Sequence, residues 1–207
     1  MKINMKKIHF IFAIALLVIL SISLTACNRG LSDFQVERLS AGEYKITGIK
    51  DTSLTNAVIP DSVTKIGDYA FFGCTSLTSV TFGENSKLTT IGEFAFGGCD
   101  SLTSIVIPDS VTTIGWYAFD YCTSLTSITI PDSVTTIGYG VYSNCTSLTS
   151  VTIPDSVTSI DDNAFYNCIR LTDVYYTGTE EQWNAISIGA VNTALTNATI
   201  HYNYVNE

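Results

Sequence analysis

Basic residues and histidine are scarce in this sequence. Its 207 residues include 10 Lys and Arg against 19 Asp and Glu, which gives a net charge of −9. Proteins that bind nucleic acid need a basic face, and electrostatic binding to anionic lipid needs basic clusters. The composition therefore argues against a nucleic-acid partner, and the dispersed acidic residues favour solubility.

The sequence contains few residues that could support catalysis. The only histidines are His9 and His201, and neither belongs to a readable Ser–His–Asp or Cys–His arrangement. Neither a Gly-rich phosphate loop nor a zinc-ligand spacing is present. The sequence predicts no enzyme, no cofactor and no metal site.

The segment that precedes Cys27 has the pattern of an export signal. A basic start is followed by an apolar run, Ile8 to Leu20, which is shorter than the roughly 20 residues that a membrane-spanning helix needs. The tetrapeptide Leu24-Thr25-Ala26-Cys27 resembles the lipobox of bacterial lipoproteins. An ordinary signal peptide with a chance cysteine, or an uncleaved anchor helix, is the alternative.

The lipobox resemblance implies cleavage before Cys27 and acylation of that residue. The mature chain would then carry seven basic and 19 acidic residues, a net charge of −12. We expect an extracytoplasmic protein at the cell surface, anchored to the membrane by lipid at Cys27. Several acyl chains on one residue anchor a protein stably, whereas a single chain binds only marginally.

The other cysteines recur at nearly equal spacing, and the last four are evenly spaced along the chain. They are Cys74, Cys99, Cys122, Cys145 and Cys168. A disulfide stack or a metal ladder is one interpretation, and buried free thiols that pack as small apolar residues are the other. We favour free thiols, because side chains in register point the same way, whereas a disulfide needs them turned toward each other.

The cysteine spacing belongs to a longer repeat with a period of about 23 residues, of which Ser124 to Thr146 is one copy. Each copy has a Leu followed at fixed offsets by an alternating apolar pair, which indicates a short half-buried strand. In four copies proline then ends the strand, and the Asp-Ser that follows favours a turn. Seven copies begin with Leu54, Leu77, Leu102, Leu125, Leu148, Leu171 and Leu195.

A second apolar set follows in each copy, for example Val111, Ile114, Ala118 and Phe119. Its three- and four-residue spacing predicts a helical turn or a short 3₁₀ segment on the side opposite the strand. One copy cannot bury its own apolar face, but stacked copies can. We therefore expect a solenoid of short parallel strands, a β-dominated α/β fold.

The pattern LTSITIPDSVTTIG…AF…C closely resembles the BspA-type (Treponema-type) leucine-rich repeat, over roughly Leu54 to Tyr202. The resemblance implies a right-handed leucine-rich-repeat solenoid on a bacterial surface. Some members bind host matrix proteins or other bacteria, and many have no known ligand. No catalytic residues come with the family.

The expected domain organisation follows from the repeat and its ends. Residues 1–26 form the signal peptide, 27–41 a tether, 42–202 the solenoid and 203–207 a tail. Within the solenoid, residues 42–60 are an N-terminal cap and 177–202 a C-terminal cap. In the latter, Thr179 to Gln182 is a capping-box pattern that predicts a helix with Trp183 and Ile186 on one face, followed by a strand from Thr196 to Tyr202.

Aromatic residues vary around the predicted turn and form the candidate binding surface. Exposed aromatic side chains suit recognition of a protein or a glycan, whereas local packing between copies is the alternative. The candidates are Tyr69, Phe94, Trp116, Tyr117, Tyr121, Tyr139 and Tyr166.

The aspartates that follow each proline raise the question of calcium. They are Asp61, Asp109, Asp132 and Asp155. Each copy offers one carboxylate there, whereas calcium takes six or more oxygens, so a turn role is favoured.

Two functions therefore remain open. The first is a lipid-anchored surface protein that mediates adhesion or protein binding, with an unknown protein or glycan as its partner. The second is a passive structural or spacer protein of the envelope without a specific ligand.

Overall fold

A computed structural model describes residues 30–205, and they form a solenoid. Seven coils stack along one axis, each beginning at one of the seven leucines of the repeat. The coils are numbered 1 to 7 here and comprise residues 54–76, 77–101, 102–124, 125–147, 148–170, 171–194 and 195–205. The predicted solenoid of short parallel strands is confirmed.

The solenoid begins with an antiparallel hairpin. Strands β1 (Phe34–Ser40) and β2 (Glu43–Ile49) pair with each other, and β2 continues into the parallel sheet. Residues 34–40 thus form a strand inside the segment expected to be a tether. Leu31 and Phe34 are buried and cover the end of the apolar core, which a solenoid must shield from water.

The first strand of each coil forms a parallel ladder, with Val151 level with Val174 in one pair, for example. These strands alternate buried and more exposed residues as predicted. The ladder consists of β3 (Asn56–Ile59), β5 (Ser79–Phe82), β7 (Ser104–Ile105), β9 (Ser127–Thr129), β11 (Ser150–Ile153), β13 (Asp173–Tyr176) and β15 (Thr199–His201).

A second parallel ladder lies after the proline turn, where the sequence indicated only helical spacing. Its strands are mostly two residues long, too short for alternation to be recognised in a sequence. They are β4 (Val63–Ile66), β6 (Thr90–Ile91), β8 (Thr113–Ile114), β10 (Thr136–Ile137), β12 (Ser159–Ile160) and β14 (Ser187–Ile188).

Both ladders are interrupted between coils 3 and 4. Strand β7 does not pair with β9, and β8 does not pair with β10. On the third side of the coil the backbone bonding continues, since the Phe119 N–H donates to the Val141 oxygen at 2.9 Å. The two halves of the solenoid are therefore joined through this third side, through the shared core and through single bonds such as that from the Thr126 N–H to the Thr103 oxygen at 3.2 Å.

The third side is an arc of consecutive turns rather than a regular helix. Its N–H groups alternate between two kinds of acceptor: Ala70 donates to Gly67 in its own coil, and Phe71 donates to Ala95 in the next. The arc therefore satisfies its backbone partly within a coil and partly between coils, as buried polar groups require.

The C-terminal end replaces the repeat with two short helices, α1 (Glu180–Asn184) and α2 (Thr193–Thr196). The predicted capping box is confirmed: the Thr179 hydroxyl accepts from the Gln182 N–H, and the Gln182 side chain accepts from the Thr179 N–H. Trp183 and Ile186 are both buried, as expected. The final strand is shorter than predicted, because Thr196 ends α2.

Aromatic rings stack along the middle of the core, one from each of coils 1 to 5. Neighbouring ring centroids lie 4.9 to 5.5 Å apart with nearly parallel planes. Such contacts add to the free energy of burial. The rings are those of Phe71, Phe96, Phe119, Tyr142 and Phe165.

The five repeat cysteines form a second column and are buried free thiols, as favoured from the sequence. Each thiol after the first donates to a backbone oxygen of the preceding coil, for example Cys122 to Phe96 at 3.3 Å and Cys168 to Tyr142 at 3.0 Å. Burial raises the pKa of Cys168 to about 12 and that of Cys122 further. Burial keeps all five thiols from reagents.

We expect the thiols to react only after unfolding. A thiol reagent at mildly alkaline pH should label none of the five in the folded protein, because all five side chains are inaccessible. In denaturant all five should react. Rapid labelling of the folded protein would contradict this packing.

Tyr142 offers a direct test of the core, because its hydroxyl is buried without a hydrogen-bond partner. An unsatisfied buried hydroxyl destabilises a fold by about 1 kcal/mol or more. We expect Tyr142→Phe, which restores the residue found in the other four rings, to raise the melting temperature by roughly 2–4 °C. Calorimetry of parent and variant measures this, and a lower melting temperature would show that the hydroxyl has a stabilising partner.

Candidate functional site

Each arc turns sharply at a residue in the left-handed backbone region, two positions after the glycine or aspartate that opens it. Tyr69, Phe94 and Tyr117 occupy this position in coils 1 to 3, with φ of 57°, 49° and 57°. Bulky residues rarely adopt this conformation. Gly140 and Asn163, which adopt it more readily, occupy the position in coils 4 and 5.

The rings at this position stack in the direction of the solenoid axis. Tyr69 and Phe94 lie 5.3 Å apart, and Phe94 and Tyr117 lie 4.7 Å apart, with planes within 13° of parallel. Tyr139 ends the stack with an edge contact to Tyr117 at 5.3 Å. The packing alternative weighed from the sequence therefore accounts for part of this surface.

Gly140 explains how the stack ends. A Cβ at this position would lie 2.5 Å from the Tyr117 ring, so the ring occupies the space of a side chain. Tyr139, one residue earlier, supplies the last ring instead, and its hydroxyl accepts from the Asn163 amide at 2.9 Å.

A groove of about 760 Å³ lies beside the end of this stack. Trp116, Tyr117 and Tyr139 line it together with Asp161 and Asp162. Trp116 is the most exposed of the candidate aromatics, with 58% of its surface accessible. The groove thus brings together three of the seven residues proposed from the sequence.

Sequence reasoning missed the two aspartates. Asp161 occupies the position that the other coils give to glycine, a departure that alignment of the copies could have revealed. The equivalent residues are Gly67, Gly92, Gly115, Gly138 and Gly189.

The remaining candidates lie elsewhere. Tyr121 and Tyr166 are exposed, but they line none of the described grooves and stack with no other ring among residues 30–205. The structure therefore does not unite all seven candidates in one site. Cys27, the expected lipidation site, is outside the described residues.

Of the two histidines, His201 lies within the described residues, in the last strand. Its Nε2 lies 2.7 Å from Asp173 Oδ1, and its ring stacks on Tyr175 at 4.8 Å. The hydrogen bond with His201 lowers the pKa of Asp173. The contacts of His201 with Asp173 and Tyr175 join the last strand, β15, to the neighbouring strand β13.

Within residues 30–205, no cluster of three or more His, Cys, Asp or Glu side chains is arranged to hold a metal ion. No helix in that same range is both long and apolar enough to cross a membrane.

Comparison with known proteins places the repeat in a family. The model of the BspA type leucine-rich repeat region matches residues 49–178 in six copies. No protein of curated function matches the chain significantly.

Several solved structures share the architecture. A leucine rich cell surface protein from Faecalibacterium prausnitzii A2-165 is 30% identical with a TM-score of 0.67, over 83% of this chain and 53% of that protein. A leucine-rich repeat protein of T. pallidum is 31% identical with a TM-score of 0.65, over 77% of this chain and 79% of that protein. The pneumococcal vaccine antigen PcpA, 20% identical with a TM-score of 0.54 over 76% of this chain and 46% of that protein, shares the fold.

This chain spans about half the length of the Faecalibacterium protein. The family match covers most of the repeat region of this chain. Together with the two ladders and the repeated core, these matches show that the chain belongs to the BspA-type leucine-rich repeat family.

Proposed function

We propose that the chain is a lipid-anchored surface protein that mediates adhesion through protein–protein binding. The observation that carries this proposal is where the copies differ. Core columns repeat nearly the same residue in coils 1 to 5, whereas the position after the opening glycine or aspartate differs between successive coils of this set. Its residues are Asp68, Glu93, Trp116, Tyr139 and Asp162.

The changing column lies on a rigid support. The stacked core fixes each coil against its neighbours, so side chains on the arc are presented at fixed spacing along the axis. A site on rigid elements holds its geometry better than one on mobile loops. Variation on an invariant scaffold is what recognition requires, whereas a spacer needs none.

A surface location is supported by two observations. The related Faecalibacterium protein is described as a cell surface protein. The signal-like segment before Cys27 and the lipobox that ends in this residue supply a route to the membrane surface.

The anchor can be tested by mass spectrometry of the N-terminal peptide from cells that express the chain. The parent should begin at Cys27 and carry an acyl mass, and Cys27→Ala should lack it. Cys168→Ala, which removes a buried thiol instead, should keep it. An identical N-terminal mass in the parent and Cys27→Ala would overturn the anchor.

Adhesion can be tested with cells that display the full chain. Displaying cells should bind surfaces coated with host matrix proteins or bacterial surface fractions more than isogenic cells that lack the chain. Soluble chain added in excess should compete. Equal adhesion of both cell types on every surface would contradict the proposal and favour the spacer role.

A further inference from the structure

The groove beside Trp116 is built by residues that depart from the repeat. At four of the equivalent glycines an added Cβ would come within 2.6 to 2.8 Å of a backbone atom of the neighbouring coil or hairpin, closer than packing allows. At the fifth, Gly138, the nearest backbone atom would be 3.7 Å away. A side chain is therefore unfavourable for the fold at four of the five equivalent positions, and yet coil 5 has Asp161 at the same place in the repeat. Such local departures from what the fold prefers are expected at functional sites.

The Asp161 carboxylate is available to a ligand. No group in residues 30–205 donates a hydrogen bond to it, whereas the neighbouring Asp162 accepts the Ala190 N–H at 2.6 Å. It is half-buried in the wall of the groove. A carboxylate held there without a partner can accept a charge-assisted hydrogen bond.

Trp116 forms the aromatic part of the groove, and one side of its indole packs against the next coil. Its Cδ1 would lie 3.2 Å from a Cβ placed on Gly138, so the indole packs against bare backbone of the next coil. More than half of its surface nevertheless faces solvent. The indole is thus positioned before any ligand arrives, which lowers the entropy cost of binding.

The charge around Trp116 has one sign. A second groove of about 510 Å³ is lined by Asp68 and Glu93 and shares Trp116 and Asp161 with the first. Neither groove is lined by Lys, Arg or His. Anionic partners are disfavoured here, and a positive group is attracted.

From these contacts we propose that the groove binds a basic side chain, foremost the guanidinium of an arginine, on a protein partner. The indole of Trp116 and the Tyr139 ring supply π faces for the cation, and Asp161 pairs with its N–H groups. This rests on the proposed adhesive function and names the chemistry of the partner. A neutral sugar could stack on the rings and donate hydroxyl hydrogen bonds to the carboxylates, but it would gain no attraction between opposite charges.

The test is calorimetric titration of the purified full-length protein in detergent with two short peptides. One contains two arginines, and the other has citrulline in their place, which keeps the shape and removes the charge. We expect the arginine peptide to bind at least about fivefold more tightly, and high salt to weaken it. Equal affinity for both peptides, or tighter binding of a neutral oligosaccharide, would overturn the proposal.

Matched variants separate the groove from the general acidity of the chain. Asp161→Asn and Trp116→Ala should each weaken binding about fivefold, and Asp161→Gly, which restores the residue of the other coils, should do the same while keeping the fold. Asp100→Asn removes one exposed charge outside both grooves, and Tyr166→Ala removes one exposed ring. These two controls should leave the affinity within about twofold, and an equal loss in them would contradict a specific site.

The two proposals fail differently. If displaying cells adhere and the groove variants adhere equally well, adhesion stands and the groove is not its site. If the arginine peptide binds the groove but displaying cells adhere to nothing, the binding chemistry stands and the adhesive function fails.

Discussion

Everything in this molecule depends on the registered stacking of one coil on the next. Each coil alone has an open apolar face, and only the neighbouring coil can cover it. The ring column through Phe96 and Phe119 and the thiol hydrogen bonds from each cysteine after the first to the preceding coil are examples of this single repeated contact. Because the contact repeats, the same residue types must repeat, and this is why the sequence is so regular.

Surface positions that do not contribute to the core are free to differ between coils. In coils 1 to 5 the position after the opening glycine or aspartate is exposed or half-buried and is occupied by an acidic or an aromatic residue. At Trp116, Tyr139 and Asp161 these differences meet in one groove, beside the point where both strand ladders are interrupted. The shared arc keeps the two halves together there, so the irregularity does not divide the solenoid.

Much of the fold could be predicted because it follows from period and burial. The leucine register, the strand before each proline, the free thiols and the capping box at Thr179 all depend on local patterns. The second ladder could not be predicted, because strands such as Thr113–Ile114 are too short to show alternation. The strand inside the expected tether was missed for another reason: Phe34 is recognisable as a cap only once the ring column that it covers is known.

Only the aromatic residues of the groove were predicted from the sequence. Its aromatic residues stand out as variable, but their packing depends on how far one coil is turned from the next, and no pattern in the sequence states that angle. In the sequence, Asp161 could be recognised only because it replaces the glycine that the other copies have at the same position. The significance of this departure depends on the lack of space for a Cβ at four of the five equivalent glycines.

The central claim is that stability resides in the repeated columns and recognition in the residues that break the repeat. A saturation mutagenesis scan of the displayed chain, read out both by protease resistance and by adhesion, measures this most directly. The account predicts that substitutions in the Leu, Phe and Cys columns lose both properties together. Substitutions at Trp116, Tyr139 and Asp161 should lose adhesion while protease resistance is kept. Adhesion that follows protease resistance at every position would contradict the account.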